Sequence, residues 1–195
     1  MKKLIPLLVI CFVLSIPEWG VCQNWTGNIN ALVGLKQLDE DDWAPTDVHT
    51  EFGILLDFRH ETWPINIAID LLRSIDDLTF YDPGLGLDFN VECNTTEINA
   101  GIRKIFADPP ITARTVIGGG VAYLTTEYEG SALGIPVSDD DSAVGFWIDF
   151  GVYWIINNHF NFGFDLRWSK GDVTLFDVNT DAGGFHYGLM MGLHW

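Results

Sequence analysis

From Trp25 to the end of the chain, bulky apolar residues fall on every second position, the period of a β-strand. Eight segments follow this rule. In the first, Trp25, Gly27, Ile29, Ala31, Val33 and Leu35 oppose Thr26, Asn28, Asn30, Gly34 and Lys36. The second sets Phe52, Ile54, Leu56 and Phe58 against His49, Glu51, Gly53, Asp57 and Arg59. In the third, Trp63, Ile65, Ile67, Ile69 and Leu71 oppose Asn66, Ala68 and Asp70. The fourth sets Ile98, Ala100, Ile102 and Phe106 against Glu97, Asn99, Gly101 and Arg103. A weaker fifth has Ile111, Ala113, Ile117, Val121 and Tyr123 against Thr112, Arg114, Gly118, Gly120 and Thr126. The sixth alternates Val144–Trp154 with Gly145, Trp147, Asp149, Gly151 and Tyr153, and the seventh Phe160–Trp168 with His159, Asn161, Gly163, Asp165, Arg167 and Ser169. The last sets Phe185, Tyr187, Leu189, Met191, Leu193 and Trp195 against Gly184, His186, Gly188, Gly192 and His194.

A soluble sandwich also alternates, so three further features decide. The apolar face is the bulky one, whereas the other carries glycine beside ionised groups, the reverse of a water-soluble barrel. Each segment runs about 10 residues, enough to cross a bilayer at a tilt. Trp25, Trp63, Trp154, Trp168 and Trp195 stand at segment ends, where interfacial girdles belong. In hydrocarbon an open sheet would leave backbone groups unpaired, so closure is required. The fold predicted is all-β: an eight-stranded antiparallel up-and-down transmembrane β-barrel. Short links at 59–62, 107–110 and 155–158 alternate with long ones at 38–47, 73–95, 127–141 and 170–181, which places both termini on the short-turn, periplasmic side. Asp108-Pro109-Pro110 and Asn157-Asn158 supply turn chemistry.

Composition narrows the functions. Among 195 residues, acids outnumber bases 27 to 10, a formal charge of −17 that argues against nucleic-acid binding. Aromatics at 13% exclude a disordered acidic chain, and three cysteines are too few for a disulfide scaffold. Met1-Lys2-Lys3 precedes an apolar run, Leu4–Ile16, too short for a spanning helix. Residues 1–22 are therefore expected to be a signal peptide cut after Gly20-Val21-Cys22, with the barrel domain at 24–195. A lipoprotein anchor on Cys22 is the rival, and Val21 fits it poorly. Cleavage after Cys22 would leave Cys93 as the only thiol.

Five inward bases, Lys36, Arg59, Arg103, Arg114 and Arg167, face six inward acids, Glu51, Asp57, Asp70, Glu97, Asp149 and Asp165. Pairing among them predicts a charge-plugged lumen, with a narrow water-filled channel as the alternative. The turn at Asn157 is expected to set Asp149 opposite Asp165, with Arg167 diagonal to both. Ser169, His186 and Asp165 supply the nucleophile, base and orienter types of a hydrolytic triad, but in a closed lumen. No cofactor is called for, and the scattered histidines make no zinc pair, so no metal centre is expected. Gly118-Gly119-Gly120 lacks the following helix of a phosphate loop and is expected to relieve crowding in the wall.

The ending Tyr187-x-Leu189-x-Met191-x-Leu193-x-Trp195, the stretch Glu97–Arg103 and the stretch Gly118–Tyr123 resemble the small outer-membrane barrels of the OmpA/OmpW-like type. That resemblance implies a Gram-negative outer membrane, lipid and lipopolysaccharide around the wall, and reading of the terminal residues by the barrel-assembly machinery. It also implies a structural or surface-interaction role without catalysis, with sideways passage of small apolar solutes as an extension. Lipid A deacylases, also eight-stranded barrels, carry a late His-x-Ser. Arg167-Trp168-Ser169 is similar in place but has arginine where their base stands. The four long connections hold 18 of the 26 acids that follow residue 22, a solvated face where divalent cations are conceivable guests. Leu78-Thr79-Phe80-Tyr81 and Leu133-Gly134-Ile135-Pro136 are apolar islands within it.

Overall fold

The computed structural model describes residues 24–82, 87–107, 113–132 and 135–195. The expected signal peptide and the Asp108-Pro109-Pro110 turn lie outside them. Strands β1 (Trp25–Gln37), β2 (Val48–His60), β3 (Asn66–Asp82), β4 (Leu87–Ala107), β5 (Ala113–Ala132), β6 (Ile135–Ile156), β7 (Phe160–Lys170) and β10 (Gly184–His194) form one closed barrel. Each pairs antiparallel with its neighbour, and β1 seals the wall against β10. A separate hairpin, β8 (Asp172–Leu175) and β9 (Val178–Asp181), interrupts the run from β7 to β10. One helical turn, α1 (Glu40–Trp43), joins β1 to β2.

The apolar faces point outward. Phe162 and Phe164 are 40% and 50% exposed and Val144 73%, whereas Lys36 and Glu97 are 0% and 1% exposed. On β3–β6 the outer face reads Leu71, Ile98, Tyr123 and Val144 in one row of paired residues. The next outward-facing row reads Arg73, Thr96, Thr125 and Ser142. That step is the upper edge of the apolar band. At the opposite end Trp25 packs edge-on to Trp63 at 5.4 Å, beside Phe58 and His60. The main chain of Trp195 exchanges two hydrogen bonds with Gly27, which fastens the C-terminus to β1.

Two expectations are corrected. Residues 73–95 and 127–141 were expected as long loops, yet β3–β6 run through them as paired strands of 17 to 22 residues. Beyond the apolar band neither face has to be oily, so the period-2 signal fades while the hydrogen-bond ladder continues. Nor is the interior polar throughout. Leu32, Leu55, Leu72, Val116, Tyr153 and Met190 fill its lower part. Trp43, Cys93, Leu124, Trp147, Val173 and Leu175 roof its upper end. Trp43 reaches the roof because Asp39 caps α1, accepting the Asp41 N–H at 3.1 Å, and the indole then donates to the Asp181 carbonyl at 2.7 Å.

Candidate functional site

The inward polar residues form three tiers. In the lowest, Asp57 accepts from the Asn28 amide at 2.8 Å and also from Asn66. Among the described residues Arg59 and Arg114, at this end, make no ion pair. Arg59 turns to the rim and donates to the Trp63 carbonyl at 2.8 Å, and Arg114 is paired in register with Tyr153.

The middle tier is built on a single row of paired residues running Arg103, Gly118, Asp149, Arg167, His186, Lys36. Arg103 grips Asp70 with both terminal nitrogens, at 3.0 and 2.6 Å, and Asp149 through Nε at 2.7 Å. Arg167 adds a contact to Asp70 at 2.9 Å and a longer one to Asp165 at 3.7 Å. Both guanidinium groups lie over the Trp147 ring, at 5.3 and 5.0 Å. Gly118 makes this possible: a Cβ there would sit 2.4 Å from Asp149 Oδ1 and 2.6 Å from Arg103 Cγ. The β6–β7 register departs from expectation. Asp149 faces Arg167, and Asp165 faces Gly151, because the loop takes in His159 with both asparagines. Asn157 and Asn158 make the expected turn, both in the left-handed conformation that asparagine tolerates, with φ of 52° and 60°.

In the upper tier the Lys36 ammonium donates to Glu97 at 2.7 Å, the Ala182 carbonyl at 2.8 Å and Thr95 at 2.9 Å, using all three donors. Ser169 Oγ lies 3.0 Å from His186 Nε2, and His186 Nδ1 lies 2.7 Å from Glu51 Oε1. The serine and histidine singled out in the sequence thus meet, but Asp165 is not their partner. Glu51 reaches His186 across the β1–β10 seam, over the inward-facing pair Gly34 and Gly188. Nothing in the sequence sets that seam's register. The bonds are those of a nucleophile, base and orienter, yet Ser169 and His186 are 0% and 2% exposed. Ser169 Oγ also lies 3.0 Å from Glu97, so the serine is tied into the Lys36 pair rather than presented to a substrate.

No family model matches the chain, and no curated protein sequence does. Solved structures match its shape. Ail, the attachment invasion locus protein of Yersinia pestis, in complex with the heparin analogue sucrose octasulfate, aligns with a TM-score of 0.59 at 11% identity. That match covers 89% of this chain and 100% of Ail. Neisserial surface protein A aligns at 0.52 and 9% identity, over 88% of this chain and 97% of its own. The chain has the fold of the small eight-stranded outer-membrane β-barrels. A major outer membrane protein of Thermus thermophilus also aligns at 0.52, with 9% identity over 88% and 98% of the two chains. Within this fold the outward residues Tyr187, Leu189 and Met191, 40%, 43% and 59% exposed, lie on β10, which closes the barrel on β1. Among the described residues no group of three or more His, Cys, Asp or Glu is placed to hold a metal ion.

Proposed function

We propose that this chain is a non-enzymatic outer-membrane barrel that holds an acidic platform at the cell surface. On this reading residues 1–22 direct export and are removed, and the short-turn end faces the periplasm. The machinery that assembles such barrels reads Tyr187, Leu189, Met191, Leu193 and Trp195, and lipid with lipopolysaccharide surrounds the wall. The observation that supports it is inverted burial: an apolar belt outside and ion pairs within. Water would not tolerate that belt, and a bilayer requires it. An outer-wall groove of about 500 Å³ beside Ile148, Leu166, Trp168 and Phe185 offers a lipid tail or small apolar solute a resting place.

Conduction is the weaker reading. The cavity among Asp57, Arg103, Tyr153, Asp165 and Met190 measures about 10 Å³, room for roughly one water. Acyl hydrolysis has the Ser169–His186–Glu51 bonds in its favour and the burial of all three against it. The polyanion bound to Ail is a poor model for a ligand here, because 18 carboxylates crowd the tall end; divalent cations from the lipopolysaccharide layer suit it better. The test is planar-bilayer recording of the purified barrel together with mass spectrometry of lipid A from expressing cells. Silent bilayers and unchanged acyl chains are expected. Large stable conductance steps would restore the channel, and an acyl chain lost with the protein but kept with Ser169→Ala would restore the enzyme.

A further inference from the structure

At the tall end a groove of about 280 Å³ opens between α1, the tip of the β8–β9 hairpin and the inner face of the projecting β4–β5 sheet. Its walls are Trp43, Val91, Tyr128, Leu175, Phe176 and Val178. The roof cluster, which includes Trp43 and Leu175 of the groove wall, lies beneath it. Phe176 and Val178 remain 46% and 61% exposed.

The hairpin turn is costly for the residues that make it. Phe176 and Asp177 both have positive φ, 50° and 64°, in a two-residue turn where asparagine and glycine fit without strain. A bulky ring held there against its backbone preference marks a position kept for what it displays. The ring stands edge-on to Tyr128 at 5.6 Å, and together they form one aromatic wall of the groove.

Charge decides what such a wall receives. Residues 38–47, 73–95, 127–141 and 170–181 carry 18 acids and two bases, Arg73 and Lys170. Both bases are engaged, Arg73 with Glu127 at 3.7 Å and Lys170 with Asp181 at 3.0 Å. Asp42 lines the groove itself, and Asp177 shares its turn with Phe176. A second copy of this chain would bring carboxylates against carboxylates, and a polyanion would be repelled. We propose that the groove docks a cationic polypeptide segment. One apolar side chain of the segment seats against Tyr128 and Phe176, and flanking lysines or arginines meet the rim carboxylates. The surface location of this dock rests on the orientation proposed above; the binding chemistry does not.

The test uses the full barrel refolded in zwitterionic detergent, with folding read from its heat-dependent gel migration. Three fluorescent pentapeptides serve as probes in anisotropy titrations: Lys-Lys-Leu-Lys-Lys, Lys-Lys-Gly-Lys-Lys and Glu-Glu-Leu-Glu-Glu. The leucine peptide is expected to bind about tenfold more tightly than its glycine counterpart, the worth of one buried side chain. The acidic peptide is expected not to bind. Phe176→Gly suits the left-handed turn and leaves folding intact; it is expected to abolish the leucine preference. Asp42→Asn is expected to weaken both basic peptides alike. Equal binding of the two basic peptides, a preference that survives Phe176→Gly, or no binding to folded barrel would each overturn the dock. Peptide binding in detergent together with failure to insert into lipid vesicles would instead overturn the membrane reading alone.

Discussion

At the scale of single residues, Gly118 shows how a wall glycine governs a buried charge network. Arg103 reaches Asp149 at 2.7 Å only because position 118, between them in register, has no side chain. A Cβ there would also meet the Ile102 carbonyl at 2.9 Å, and a backbone oxygen cannot swing aside. Gly118→Val therefore has to part the pair or distort the wall. Separated buried charges lose their compensation, so a loss of about 3 kcal/mol is expected. Urea unfolding in micelles would read it as a lower midpoint at unchanged slope. Gly130→Ala is the control, because its Cβ would find nothing nearer than 3.5 Å. An equal effect at both positions would mean that backbone freedom, not the charge network, sets the requirement. The spacing of glycine and charge at 118 and 149 was legible in the sequence; what was not legible was which strand register would bring them together.

Among the elements, the β8–β9 hairpin seats Val173 and Leu175 in the roof, and carboxylates hold its backbone to the wall. Its backbone donates from Thr174 to Asp141 at 2.7 Å and from Phe176 to Asp139 at 2.6 Å, side chains on the unpaired upper edge of β6. The Thr174 N–H holds the Asp141 carboxyl below the ordinary aspartate value of 3.8. A value depressed by folding contributes stability above the unfolded value, and that contribution is lost as pH falls through the folded one. Protection of the Thr174 amide from hydrogen exchange should thus hold from pH 7 down to 4 and fall below the ordinary value. Asp141→Ala should remove the protection at every pH, and a flat profile in the unaltered chain would show that the tether carries nothing. The membrane strands were readable because a bilayer imposes one oily face on each. The same rule made β3–β6 look shorter than they are, since Asp76, Asp77, Glu127 and Glu129 lie on ladders that no bilayer constrains. Leu55, Leu72 and Leu124 occupy inward positions in the right phase, but alternation between bulky and polar residues hid them. The Glu51–His186 contact was beyond reach, because it depends on how the first strand meets the last.

For the whole molecule the charge is divided in an unusual way. The interior pairs Lys36, Arg103 and Arg167 with acids out of solvent, while the four connections of the tall end carry 18 acids against two bases. There Asp77, Glu92 and Glu129 stand side by side on one face of three paired strands, and Glu127 faces Asp140. Like charges directly opposite each other oppose sheet formation. Salt acts on these two populations differently. The Debye length shrinks from about 30 Å at 0.01 M to about 8 Å at 0.15 M, which quiets exposed repulsion and leaves buried pairs nearly untouched. Adding sodium chloride over that range should therefore raise the urea midpoint of the folded barrel in zwitterionic micelles. A protein held by surface salt bridges would respond in the opposite sense. A midpoint that fell with salt would give the controlling role to exposed pairs such as Arg73–Glu127 and Lys170–Asp181. A rise would instead identify stored repulsion there, and a cationic partner that neutralised the rim would stabilise the barrel as it bound.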